Sequence, residues 1–172
     1  RNDLMRIVCL DTQVLYWGII GKATHGQEAV IPRARDFLVA LAADHETHVI
    51  IPAIVLAELL AFVPEADQPD VLLRLQQDWL IVDFDARAAL VFGQMRGNRF
   101  VQDQFESMRA DPAETSRRAL IADCLIIASA IAHDAEVIYS DDRALLRLAD
   151  GWIDARRFED EPYQMRLIGD DE

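Results

Sequence analysis

Arg6-Ile7-Val8-Cys9-Leu10-Asp11-Thr12 is the stretch that decides the fold. Its first five residues are short of a helix, rich in β-branched and apolar side chains, and end abruptly at an acid. That pattern predicts a strand buried on both faces, the kind found in parallel sheets covered by helices. Thr47-His48-Val49-Ile50-Ile51 repeats the signal, and Leu80–Phe84, Val137–Tyr139 and Trp152–Ala155 are further predicted strands. Between them lie helical patterns. Thr12–Ile20 is apolar and aromatic but weakened by Gly18 and Gly21, and Gly21–Ile31 reads as a loop. Pro32 opens a helix with Ala34, Phe37, Leu38, Leu41 and Ala42 at helical spacing, and Pro52 starts another over Ala53–Phe62 that Pro64 ends. Pro69–Asp78 is amphipathic, Asp85 is an N-cap for the helix after the third strand, Ala119–His133 is the most hydrophobic helix, and Arg143–Ala149 a short one. The stretch Arg96–Arg118 is the most polar of the central chain. Strands alternating with helices predict an α/β fold with a mainly parallel sheet and helices on both faces, whose sites form beyond the carboxyl ends of the strands.

The chain has 172 residues, 52% of them hydrophobic, enough for one sizeable core. No repeat, linker or composition shift divides it, so one domain over residues 5–158 is expected, followed by Glu159–Glu172, an acidic tail of six acids and one arginine. Met5 is read as the native start, with Arg1–Leu4 as an added remnant. The net charge is -13 and Lys22 is the only lysine beside sixteen arginines, a balance that argues against non-specific polyanion binding. Cys9 and Cys124 lie in apolar runs without metal-type or disulfide spacing, so buried thiols are expected. No apolar stretch is long enough to span a bilayer and no secretory leader is recognisable, which predicts a cytoplasmic protein.

Four carboxylates break the patterns around them. Asp11 directly follows the first strand, and Asp142 follows the strand Val137–Tyr139 with similar geometry. Glu58 is the one polar residue of Ile54-Val55-Leu56-Ala57-Glu58-Leu59-Leu60-Ala61-Phe62. Asp123 has Leu120, Ile126, Ile127 and Ala130 as its helical neighbours. A buried ionised carboxylate without a partner costs several kcal/mol at least, so such acids pair with a base or bind a cation. Each has a simpler reading: Asp11 as a helix cap, Glu58 reaching solvent or an arginine, Asp123 paired with Arg117 or Arg118, Asp142 as a turn or N-cap residue before Arg143. Taken together, and with no accompanying His or Cys cluster, they favour a hard divalent ion, Mg²⁺ or Mn²⁺, suited to phosphodiester hydrolysis.

The ordered set resembles the PIN-domain ribonucleases, including the VapC-type toxins of bacterial toxin–antitoxin pairs. The resemblance runs from Met5 to about Ala149. It is carried by Ile7-Val8-Cys9-Leu10-Asp11-Thr12, by the helix with Glu58, and by Ala122-Asp123-Cys124-Leu125-Ile126-Ile127-Ala128-Ser129-Ala130 leading to Ser140-Asp141-Asp142. It implies a three-layer α/β/α sandwich and a metal-dependent endoribonuclease in which Asp11, Glu58, Asp123 and Asp142 hold one or two Mg²⁺ or Mn²⁺ ions. Thr12 and Ser140 are the implied supporting hydroxyls, with Asp141 as the alternative fourth acid. An RNA substrate, an antitoxin protein and a homodimer are the implied partners, and no membrane. Gly21–Thr47 and Arg96–Arg118 are longer than in compact toxins of this type.

Arg96, Arg99, Arg117 and Arg118, with Arg143 and Arg147 behind them, are the candidate RNA-backbone contacts. Two other readings compete. A catalytically silent PIN-like module that binds protein has no reason to retain four acids on apolar faces. An α/β phosphatase is disfavoured because Asp11-Thr12-Gln13 has no second acid two residues on and no Gly-rich phosphate loop is present.

Overall fold

The computed structural model of the protein describes residues 5–110 and 117–160. Its strands are β1 (Arg6–Leu10), β2 (Thr47–Pro52), β3 (Leu80–Val82), β4 (Val137–Tyr139) and β5 (Asp154–Arg156). They form one sheet in the order β3-β2-β1-β4-β5, and every pairing is parallel. The opening apolar run is thus the central strand, with Val8, Cys9 and Leu10 wholly buried. β5 begins two residues later than the apolar pattern indicates, because Gly151, at φ 76°, turns the chain and leaves Trp152 and Ile153 in the bend.

The α-helices of the described residues are α1 (Thr12–Leu15), α2 (Val30–Ala43), α3 (Ala53–Leu60), α4 (Gln68–Asp78), α5 (Ala86–Gly97), α6 (Arg99–Ala110), α7 (Arg117–Ala132) and α8 (Arg143–Ala149). From β1 the chain moves outward through β2 to β3, then returns to the other side for β4 and β5. Right-handed crossovers place the helices of these two legs on opposite faces. α7 packs with α5, α6 and α8, while α2 packs with the π-helical turn Tyr16–Ile20 and the 3₁₀ turn Phe158–Asp160. The result is the expected α/β/α sandwich. Phe158 seals one flank, its ring 6.0 Å from that of Trp17 and 5.5 Å from that of Phe37.

Two helical segments differ from a simple reading of the pattern. The polar stretch after Arg96 contains α6, whose buried positions among the described side chains are Val101 and Phe105; their spacing is helical, but the polar residues around them leave the stretch hydrophilic overall. The Thr12–Ile20 pattern begins as one α-turn and widens into a π-helix, in which the Gly21 amide donates to the Tyr16 carbonyl at 3.1 Å. Gly18 lets this wide turn sit on α2, since a Cβ there would overlap Leu38 Cδ1 and lie 3.3 Å from the Ala34 carbonyl.

These contacts predict opposite effects for two Gly→Ala changes measured by urea unfolding. Gly18→Ala lowers stability by about 1–3 kcal/mol through overpacking. Gly93→Ala, inside α5 with open space where its Cβ would be, raises it by roughly 0.5–1 kcal/mol through helix propensity. Equal shifts would mean that the π turn does not pack on α2 as described.

Candidate active site

Parallel strands deliver their carboxyl ends to one edge of the sheet, and β1 and β4 are neighbours there. Leu10 pairs with Tyr139, so the next residues, Asp11 and Ser140, emerge side by side. The Asp11 amide donates to the Tyr139 carbonyl at 3.1 Å. Ser140 Oγ then donates to Asp11 Oδ2 at 2.6 Å and accepts from the Asp142 amide at 3.0 Å. One buried hydroxyl thereby fixes both the first acid and the backbone of the fourth.

The simpler readings of Asp11 and Asp142 hold as geometry. Asp11 Oδ1 accepts from the Thr12 amide at 2.7 Å and caps α1. Asp142 Oδ1 accepts from the amides of Ala144 at 2.7 Å and Leu145 at 3.4 Å and caps α8. Both capping bonds of Asp142 fall on Oδ1, and a carboxylate oxygen accepts more than one bond, so capping leaves each acid with capacity for another partner.

α3 supplies Glu58, which is partly buried. Its partner is neither solvent alone nor an arginine: Thr12 Oγ1 donates to Glu58 Oε2 at 2.6 Å. α7 supplies Asp123, only 8% exposed, whose Oδ2 is buried with no hydrogen-bond partner. No described arginine side chain pairs with it.

Burial raises the Asp11 carboxyl from 3.8 to about 6; the Ser140 and Thr12 hydrogen bonds oppose the rise, and the charges of Asp142 and Glu58 add to it. Asp123 is pushed up to about 8, first by burial and then by Asp142, Asp11 and Glu58. The four acids therefore share one electrostatic field. Among the described residues no three His, Cys, Asp or Glu side chains stand close enough to form a ready-made metal cage. Like charges repel, and hydroxyl and amide donors hold three of the carboxylates to the scaffold. The chemistry of the donor set nevertheless fits a hard divalent cation: it is all oxygen, it lacks a basic partner, and it includes an orphaned carboxylate oxygen.

Asp141 and Asp142 diverge. Asp142 belongs to the acid group, whereas Asp141 accepts from Arg157 Nε. Arg157 was not legible as a site residue, because an arginine that follows Arg156 at the end of a three-residue strand carries no local signal of a partner 16 residues away. The six arginines singled out from the sequence do not pair with the four acids among the described side chains. Arg96 stacks on Phe105, with its guanidinium carbon 4.0 Å from the ring centroid. Arg99, Arg118, Arg143 and Arg147 are exposed. The Arg117 side chain lies outside the described residues, as does the 161–172 part of the acidic C-terminal segment.

A family model for the PIN domain matches residues 8–151. The chain belongs to the PIN domain family. This PIN domain is similar in fold to a chain of VapBC2 from Rickettsia felis, solved bound to a DNA fragment from their promoter. That match has a TM-score of 0.57 and 18% identity, and covers 88% of this chain and 98% of the other. FitAcB from Neisseria gonorrhoeae matches with a TM-score of 0.54 and 20% identity, over 90% and 99% of the two chains. No curated protein matches this chain in sequence.

The raised carboxyls give the protein a pH signature. Between the ordinary carboxyl range near 3.8 and the folded values of about 6 and about 8, the folded state holds more protons than the unfolded one. Its stability therefore falls as pH rises through that window. Chelator-treated protein should unfold more readily at pH 8 than at pH 5. Asp123→Asn should flatten the profile and stabilise the protein at pH 8 by about 1–3 kcal/mol, with little change at pH 5. A pH-independent melting temperature in the parent chain would contradict this.

Proposed function

We propose that the protein is a metal-dependent endoribonuclease and the toxin of a toxin–antitoxin pair. The observation that carries the reading is the buried, partnerless Asp123 carboxylate in the common field of Asp11, Glu58 and Asp142, at the carboxyl edge of a PIN-domain sheet. PIN domains as a family are nucleases and generally depend on divalent metal, and the fold similarity to VapBC2 and FitAcB supports the toxin assignment and an antitoxin partner.

In this reading Asp11, Glu58, Asp123 and Asp142 hold one or two Mg²⁺ or Mn²⁺ ions. Bound there, such ions supply water activation and stabilisation of the departing oxygen in phosphodiester hydrolysis. The Ser140 hydroxyl orients Asp11, the Thr12 hydroxyl orients Glu58, and the buried wall around Asp123 excludes bulk water. Exposed arginines such as Arg99 and Arg118 contact phosphates and set the position of the strand rather than the sequence cut. With a net charge of -13, RNA binding is weak and salt-sensitive.

The test is cleavage of single-stranded RNA with and without Mn²⁺. Losing a partner that supports a metal ligand typically costs roughly 10–100-fold, so Asp11→Asn and Asp123→Asn should each reduce metal-dependent cleavage by at least about 100-fold. Equal activity in the parent and both variants would exclude the mechanism.

A further inference from the structure

Arg157 lies at the edge of the sheet where the acids are, although the mechanism above makes no use of it. β5 runs parallel to β4, with Tyr139 paired to Arg156 and the Ser140 amide donating to the Arg156 carbonyl at 3.0 Å. Arg157 is therefore the immediate neighbour of Ser140-Asp141-Asp142. Its guanidinium makes two carboxylate contacts: Nε donates to Asp141 Oδ1, and Nη2 donates to Glu159 Oε2 at 2.9 Å. Glu159 Oε1 is in turn 2.7 Å from Arg33 Nη1 on α2. The chain of ion pairs runs from α2 through the Phe158–Asp160 turn to the residue beside Asp142.

Exposed ion pairs of this kind add little to stability, with a median of about 0–1 kcal/mol, and Arg157 is 47% exposed. Geometry gives them a use. Asp142 has extended backbone, φ -77° and ψ 115°, in which successive side chains point to opposite sides. Asp141 is drawn toward β5 by Arg157, while the next acid, Asp142, acts by its charge on Asp11 and Asp123. The planar guanidinium fork suits this task, because it fixes direction as well as charge.

We propose that Arg157, held by Glu159 and Arg33, is a positioning residue that acts through Asp141 to aim Asp142 into the acid cluster. The proposal rests on the metal-binding reading of that cluster. It makes the first residues of the C-terminal acidic segment part of the site's support.

The experiment is Mn²⁺ calorimetry on the full chain, paired with amide hydrogen exchange of the metal-free protein, for the parent, Arg157→Ala, Arg157→Lys and Glu159→Gln. By plain electrostatics, deleting a cation near an acidic site strengthens Mn²⁺ binding; loss of positioning weakens it. Weakening of roughly 10-fold is expected for Arg157→Ala, and similar weakening for Arg157→Lys, which keeps the charge but not the fork. The Asp142 and Ala144 amides, bonded to Ser140 Oγ and Asp142 Oδ1, should exchange about 10-fold faster. Glu159→Gln, nearly isosteric, gives the same direction should Arg157→Ala fold poorly. Unchanged or tighter Mn²⁺ binding with unchanged exchange overturns the positioning role alone. A parent chain that takes up no Mn²⁺ overturns the metal reading and this role with it.

Discussion

Like charges buried at the carboxyl edge of a parallel sheet are the constraint around which this molecule is organised. β1 and β4 bring Asp11 and Asp142 to the same edge, α3 and α7 bring Glu58 and Asp123, and burial removes the water that would screen them. Such an arrangement opposes folding, and the apolar interior of β1, β2, β4 and α7 has to outweigh it. The hydroxyls of Ser140 and Thr12 offset part of the repulsion without adding charge. A bound cation would remove the remainder, so stability and metal affinity are linked in this site.

Much of this arrangement could be read from the sequence because it violates local rules. β1 and β2 announced themselves as apolar runs too short for helices, and Glu58 and Asp123 stood out on helices otherwise apolar all round. What escaped the sequence depends on tertiary register. α6 carries its apolar positions at helical spacing, but most of its residues are polar and the stretch reads as hydrophilic overall. The motif Ser140-Asp141-Asp142 marks Asp142 as the fourth acid with Asp141 as the alternative, but the destination of Asp141, the Arg157 guanidinium, follows only from the pairing of β4 with β5. The Thr12–Glu58 bond joins residues 46 apart and has no sequence signature either.

The net charge also has a different meaning in three dimensions. Several cations are engaged by the protein's own acids: Arg33 with Glu159, Arg87 with Asp134, Arg156 with Asp154, and Arg157 with Asp141 and Glu159. Surface pairs of this sort hold little free energy, but they reduce the positive potential offered to a polyanion. Exposed acids without an ion pair among the described residues, such as Asp70, Asp78 and Asp103, are screened by water, whereas Asp11 and Asp123 are buried. Burial and the neighbouring acids raise both of these carboxyls, and a divalent ion is the natural counter-charge there.

The order of synthesis gives the sheet topology one more consequence. Ser140 and Asp11 are 129 residues apart, and the central strand receives its second neighbour only when β4 has been made. A nascent chain that ends at α6 can pair β3, β2 and β1 but leaves one edge of β1 bare, with Asp11 and Glu58 alone in place. Such long-range closure is slow, and an unpaired hydrophobic edge invites aggregation. Truncated or stalled chains thus lack half of the acid cluster, and the completed protein acquires its chemistry and the protection of its central strand in the same late step.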